Sequence, residues 1–282
     1  MCCFSLPVNE VSATSIFARA LGDGRQALIY EMSLDAASDL AMVLPIPVVP
    51  RAAEDAVRFV SLAGYPELFR HLESAFPVEG FARFQPQALA GGPVVRAPLV
   101  VHDVGDFEAS FVPTMADLDR LDPRFRLPRE VWAALGGIYD DWGFAVFKLK
   151  VVPQRPEPAP PGFFARLLGR GGAPMAPPSG PKRFHPMAFT FPQRDPSKLF
   201  FPTVHVHDGR VHPTAHFDHA LYLQTTPTSD VRFESFERSE RPATFAVDHH
   251  RSGELIELMS VLHRRKIVGD APNRDVWIDL PS

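Results

Sequence analysis

The sequence predicts an α+β protein built of strand-rich mixed and antiparallel sheets, with a few short helices and Pro-rich loops. Two observations carry that expectation. Short apolar runs, several alternating with polar residues, recur between clusters of Gly, Pro, Asp and Ser, which is strand-and-turn punctuation. Thirty prolines among 282 residues shorten helices and push strands toward edges, bulges and ends. Twenty-three phenylalanines against four tyrosines are the other bias of the composition.

Val11–Leu21 and Arg25–Leu34 read as two strands around Gly22-Asp23-Gly24, a loop with hairpin chemistry. Leu40–Val49 reads as a buried third strand that bends at Pro45 and Pro47. Arg51–Leu62 and Tyr65–Phe76 place Val57, Val60, Leu68, Phe69 and Leu72 at helical spacing, so both are expected as helices. Leu99–Val104 and Phe107–Val112 return to strand character. Thr114, with Asp117 three residues on, is placed to cap a short helix ending at Leu121. Pro128 suits the first turn of a helix reaching Tyr139, and Trp142–Val152 reads as a strand. Later strands are expected at Met187–Phe191, Leu199–His207, Ala220–Gln224, Val231–Glu237 and Thr244–Val247, and a late helix at Glu254–His263.

Pro153 to Pro186 holds ten prolines and five glycines, a composition that regular elements do not tolerate. The expected organisation is therefore an N-terminal α+β region over 1–152, a linker over 153–186 and a C-terminal His-rich β region with one helix over 187–282. The two regions could pack as one domain. Within the linker, Gly162–Gly169 (GFFARLLG) is an apolar, cationic island, a candidate contact for a protein partner or simply a loosely packed loop.

A net charge of −4 and a pI near 6.3 give no basic surface of the kind nucleic acid requires. The longest apolar stretch, Leu40–Pro50, is about half a membrane span and contains three prolines, so no transmembrane segment is expected. The opening residues MCCFSLPVNEVSAT lack the charged and apolar regions of a secretory signal. Adjacent cysteines cannot staple distant elements, and the expected compartment is cytoplasmic.

Several segments, taken in order, resemble an uncharacterised bacterial family, domain of unknown function 2330. They are the Cys-containing start with Pro7-Val8; Asp39–Pro47; Val104-Gly105-Asp106-Phe107; Tyr139–Lys150; and His185-Pro186-Met187 leading to Leu199–Pro202. The likeness spans about residues 1–205. Members of that family follow a secretion signal, which residues 1–14 do not resemble. The family carries no established activity, so the resemblance implies no functional residue.

Chemistry concentrates in one place. Five histidines, His205, His207, His212, His216 and His219, fall within fifteen residues, with Asp208 and Asp218 among them. Residues two apart in a strand share a face, so His205 and His207 lie together. Asp208-Gly209 is a strong signal for a two-residue type I′ hairpin, which would set His205 opposite His212. Three imidazoles on one face suit zinc or copper. His216, Asp218 and His219 would then supply a further ligand or outer partners. A bound ion with an open position could activate water for hydrolysis. The plainer alternatives are that this face meets solvent, or that the histidines hydrogen-bond the loop after Pro213.

The second candidate is Cys2. Removal of Met1 would leave a thiol and an α-amino group on one residue, the equipment of an N-terminal-nucleophile amidohydrolase. Such an enzyme also needs orienting groups, and Asn9, Arg19 and Asn273 are candidates by type. Cys2 and Cys3 could instead be soft metal ligands meeting the histidines in space, or pack as small hydrophobes. The function expected first is a transition-metal-binding protein, with a metal-dependent hydrolase as its sharper form. The alternatives are the Cys2 amidohydrolase and a non-catalytic binding protein.

Overall fold

The computed structural model describes residues 2–76, 102–103, 107–151, 181–225 and 231–281; for Cys2 and residues 102–103 it describes the backbone alone. In chain order the strands are β1 Cys2–Phe4, β2 Glu10–Ala20, β3 Arg25–Asp35, β4 Leu40–Ile46, β5 Arg58–Ser61, β6 His102–Asp103, β7 Phe107–Val112 and β8 Gly143–Leu149. They continue as β9 Lys182–Arg183, β10 Met187–Pro192, β11 Lys198–Phe201, β12 His205–Val206, β13 Thr214–Gln224, β14 Glu237–Pro242, β15 Val261–Pro272 and β16 Val276–Asp279. The two α-helices among the described residues, α1 Leu68–Ser74 and α2 Arg129–Ala134, are short. Mostly-β therefore describes the chain better than α+β. No helix of the described residues is long and apolar enough to cross a membrane.

Six strands form one sheet in the order β12-β1-β4-β8-β7-β6. A second sheet runs β14-β15-β13-β2-β3-β10-β5, with β9 added beside β3. Strands from both sides of the 152–180 stretch thus share one sheet, and Lys182–Arg183, expected as linker, pairs with Leu34 and Ser33. The main core lies between the sheets, where Met42 and Phe147 from one pack with Leu28, Tyr30, Phe189 and Leu221 from the other, and it continues on the far face of the smaller sheet through Val43 and Phe144, whose ring meets Trp132. Phe147 and Phe189 touch across the gap with ring centres 5.9 Å apart. β4 is buried along its whole length, because Leu118, Phe125, Val131 and Leu135 join the same core. That double burial explains its unbroken apolar run. A second core, with Phe17, Ile29, Leu68, Leu72 and Tyr222, covers the other face of the larger sheet.

The N-terminal hairpin forms as expected, and Thr114 accepts a hydrogen bond from the Asp117 amide at the head of a 3-10 turn, Met115–Arg120. Four elements differ. Residues 51–62 hold β5 rather than a helix, because Phe59 and Val60 pair with Phe189 and Ala188; sheet pairing outweighs helical spacing. The expected late helix is absent. Gly253 and Glu254 both have positive φ, which breaks a helix at its first turn, and Val261 onward is sheet. Thr244–Val247 is overtaken by a 3-10 turn at Ala243–Phe245, and Val231–Glu237 contributes only its last residue to β14.

Candidate functional site

The hairpin that would set His205 opposite His212 does not form a ladder. Both edges of β12 are already occupied. On one side β1 runs parallel to it, with Cys2 in register with His205 and Cys3 with Val206. On the other, the side-chain amide of Asn273 accepts from the His205 amide at 2.7 Å and donates to the His205 carbonyl at 2.9 Å. A type I′ turn needs positive φ at both central residues, and of Asp208-Gly209 only Gly209 has it. Asp208 instead accepts from the Arg210 amide. His212 turns outward, with Nε2 2.9 Å from Asp208, and leaves the expected trio.

His219 takes its place. It projects from β13 toward the core between the sheets, on the face it shares with Phe217 and Leu221. There it meets His205, whose strand edges the other sheet. Their Nε2 atoms lie 3.0 Å apart. His207 stacks on His205 with ring centres 4.7 Å apart and planes 18° from parallel. Phe217 and Phe4 close around the rings, at 4.5 Å from His205 and 5.5 Å from His207.

Burial sets the charge state. It drives His205 down to about 2, helped by the neighbouring His219 and His207 rings. It drives His207 down to about 4, with His219 adding, and holds His219 below the usual range as well. All three are neutral imidazoles at neutral pH. His207 Nε2, His219 Nδ1 and Thr14 Oγ1 are buried with no hydrogen-bond partner among the described residues. Buried polar atoms seldom stay unpaired.

Asp218 approaches His219 Nδ1 with Oδ1 at 3.6 Å, beyond hydrogen-bond reach, while Oδ2 accepts from the Ala13 amide. Burial pushes the Asp218 carboxyl up, but the His219 ring and the Ala13 amide outweigh it, leaving the group below its ordinary value. His216 is exposed and pairs with Asp270 at 2.9 Å, away from the buried rings. Among the described residues, no group of three or more His, Cys, Asp or Glu side chains is arranged to hold a metal ion. The two Nε2 atoms converge; a third donor does not yet point at the same spot.

Cys2 enters through its backbone alone, and its side chain lies outside the described residues, as do the 162–169 island and the other residues of 152–180. Cys3 is fully buried in the main core. The Asn9 amide donates to the Asp35 carbonyl, one residue after Val8, whose amide donates to the His207 carbonyl, and Arg19 pairs with Glu257. Asn273 is beside His205. Asp275 adds to the same clamp, accepting from the Thr203 and Val204 amides at 2.9 and 3.1 Å and from the Tyr139 hydroxyl at 2.7 Å. The Asn-Arg-Asp run at 273–275 carries no pattern of its own; only Asn273 could be picked out, by residue type. Arg264 and Lys266 both engage Glu73, at 2.7 and 2.8 Å, and Arg251 lies over the Tyr65 ring.

No protein-family model matches the chain, and no curated protein matches it. Among solved structures it is similar to baculovirus P35, at a TM-score of 0.44 and 12% identity over 100% of both chains. A mutated baculovirus P35 after caspase cleavage aligns at 0.42 and 11% identity, covering 96% of this chain and 98% of that one. P35 in its caspase-8 complex aligns at 0.40 and 11%, covering 95% and 96%.

Proposed function

We propose that this protein binds a divalent transition-metal ion, zinc or copper, between His205 and His219 at the junction of its two sheets. The supporting observation is the 3.0 Å separation of two buried Nε2 atoms on rings that burial keeps neutral. Two imidazoles on a tetrahedral zinc, at roughly 2.0–2.1 Å each, place their nitrogens about 3.4 Å apart. An ion would therefore need the rings to part by only a few tenths of an ångström. His207 is the third donor: its Nε2 is buried without a partner among the described residues, and rotation of a ring already stacked on His205 would bring it in. Cys2, in register with His205, is the candidate fourth. If only three protein donors bind, water completes the ion, and the expected chemistry is hydrolysis by that water.

Elemental analysis of untagged protein tests the proposal. About one zinc or copper per chain is expected, lost in His205→Ala and His219→Ala and kept in His212→Ala. Protein that is metal-free and refuses micromolar zinc and copper would overturn it.

A further inference from the structure

Asp218 stands between two unusual features, the buried His219 ring and a strained turn of backbone in β2. We infer that Asp218 fixes the tautomer of His219, holding its proton on Nδ1 and its Nε2 lone pair toward His205, and that the bulge at Ala13 is the clasp that keeps Asp218 in place.

The bulge comes first. The pairing of β2 with β3 slips between Ser12 and Ser15, and within the slip Ala13 has φ 53°. Left-handed backbone costs a non-glycine residue about 1 kcal/mol or more. It persists where surrounding contacts require it, and here the contact is the hydrogen bond from the Ala13 amide to Asp218 Oδ2. With that oxygen held, the carboxylate cannot swing away, and Oδ1 stays 3.6 Å from His219 Nδ1.

That distance is too long for a hydrogen bond, yet it decides the tautomer. His219 is 2% exposed, and Nδ1 has no hydrogen-bond partner among the described residues. Nδ1 itself is out of water while the Asp218 side chain is 42% exposed, and a lone pair facing the carboxylate is repelled, whereas an N–H facing it is attracted. The proton therefore sits on Nδ1. A neutral ring has only one, so Nε2 is an acceptor.

The 3.0 Å contact between the two Nε2 atoms holds one proton. With His219 accepting, that proton belongs to His205. His219 thus stands in the ligating tautomer before any ion arrives. His205 is the ring that changes: its proton leaves Nε2 and one is taken up at Nδ1, with no net release. A carboxylate behind a ligating histidine is a recurrent device for orienting the ring and raising its donor strength. This second consequence rests on the metal reading above; the tautomer does not.

The test uses full-length, metal-free protein and two-bond proton–nitrogen correlation spectra of its histidines. Wild type should show His219 protonated at Nδ1, which needs no variant. Asp218→Asn keeps an oxygen for the Ala13 amide but turns an NH2 toward Nδ1, so the proton should move to Nε2. Wild-type His219 protonated at Nε2, or an Asp218→Asn tautomer unchanged from wild type, would overturn the inference. Zinc titrated into both proteins should bind Asp218→Asn about 10- to 100-fold more weakly. Wild type that shows the Nδ1 tautomer but binds no zinc would sink the metal reading and leave the tautomer standing.

Discussion

Asn273 gives His205 both hydrogen bonds that a neighbouring strand would have given. Its side-chain oxygen accepts from the His205 amide and its NH2 donates to the His205 carbonyl, and the same NH2 donates to the His212 carbonyl at 2.9 Å. One side chain thereby ends the sheet at β12, and the histidine held there faces inward. Asn273→Ala leaves three backbone groups without partners. We expect a loss of about 2–4 kcal/mol in urea unfolding, with loss of bound metal. A change under about 0.5 kcal/mol would show that water replaces the amide without cost.

Acid should unfold this protein through its buried rings. A histidine kept neutral in the fold takes up a proton in the unfolded chain below about 6.5, so the unfolded state binds more protons. Stability then falls as pH drops through about 6.5, by up to about 1.4 kcal/mol per pH unit for each ring. The loss continues until the folded ring itself protonates, at about 4 for His207 and about 2 for His205. Glu73, held at about 2 despite its burial by bonds from Lys266, Tyr222 and Arg264, adds a loss only below the ordinary carboxylate range. Urea midpoints between pH 7 and 5 should therefore report the histidines, and His207→Phe should flatten the slope. A slope unchanged in that variant would count against a buried, neutral His207.

Much of the scaffold was legible in the sequence because its signals are local. The Gly22-Asp23-Gly24 turn, the Thr114 cap and the apolar run of β4 each need only a few residues to declare themselves. The failures are those where a distant partner decides. Val57 and Val60 have helical spacing, yet Phe59 and Val60 are claimed by β10. Leu255 and Leu258 have it too, yet positive φ at Gly253 and Glu254 forbids the helix. Within residues 205–219 the structure brings His205, His207 and His219 together and leaves His212 outside. His212 was paired with His205 by turn chemistry alone. The contacts that exclude it come from Cys2, about two hundred residues earlier in the chain, and from Asn273, 61 residues later. No spacing rule reaches that far.

Gly143 opens β8 against Phe111 and Val48 of the main core. A Cβ there would lie 2.5 and 2.7 Å from the Phe111 ring and 2.9 Å from Val48. Gly143→Ala should cost about 1–3 kcal/mol through overpacking. Thermal unfolding within about a degree of wild type would mean that the Phe111 ring gives way freely.

Ala13 makes the opposite prediction. Glycine adopts its left-handed conformation without strain, and the gain outweighs the added freedom of the unfolded chain. Ala13→Gly should stabilise the protein by up to about 1 kcal/mol and keep the His219 tautomer. Destabilisation would show that the methyl group packs, rather than that the backbone is strained.

The parallel pairings have a consequence for how the chain reaches this state. β1 joins β12, and β2 joins β13, with Cys2 beside His205 and Ser15 beside Ala220. Each contact closes a loop of about two hundred residues, and pairings of such range are slow to nucleate. On a ribosome, the first two strands emerge long before their partners and wait with open edges. Refolding should accordingly be slow and prone to aggregation at high concentration. The two rings, one from each sheet, meet only when the last of these loops has closed.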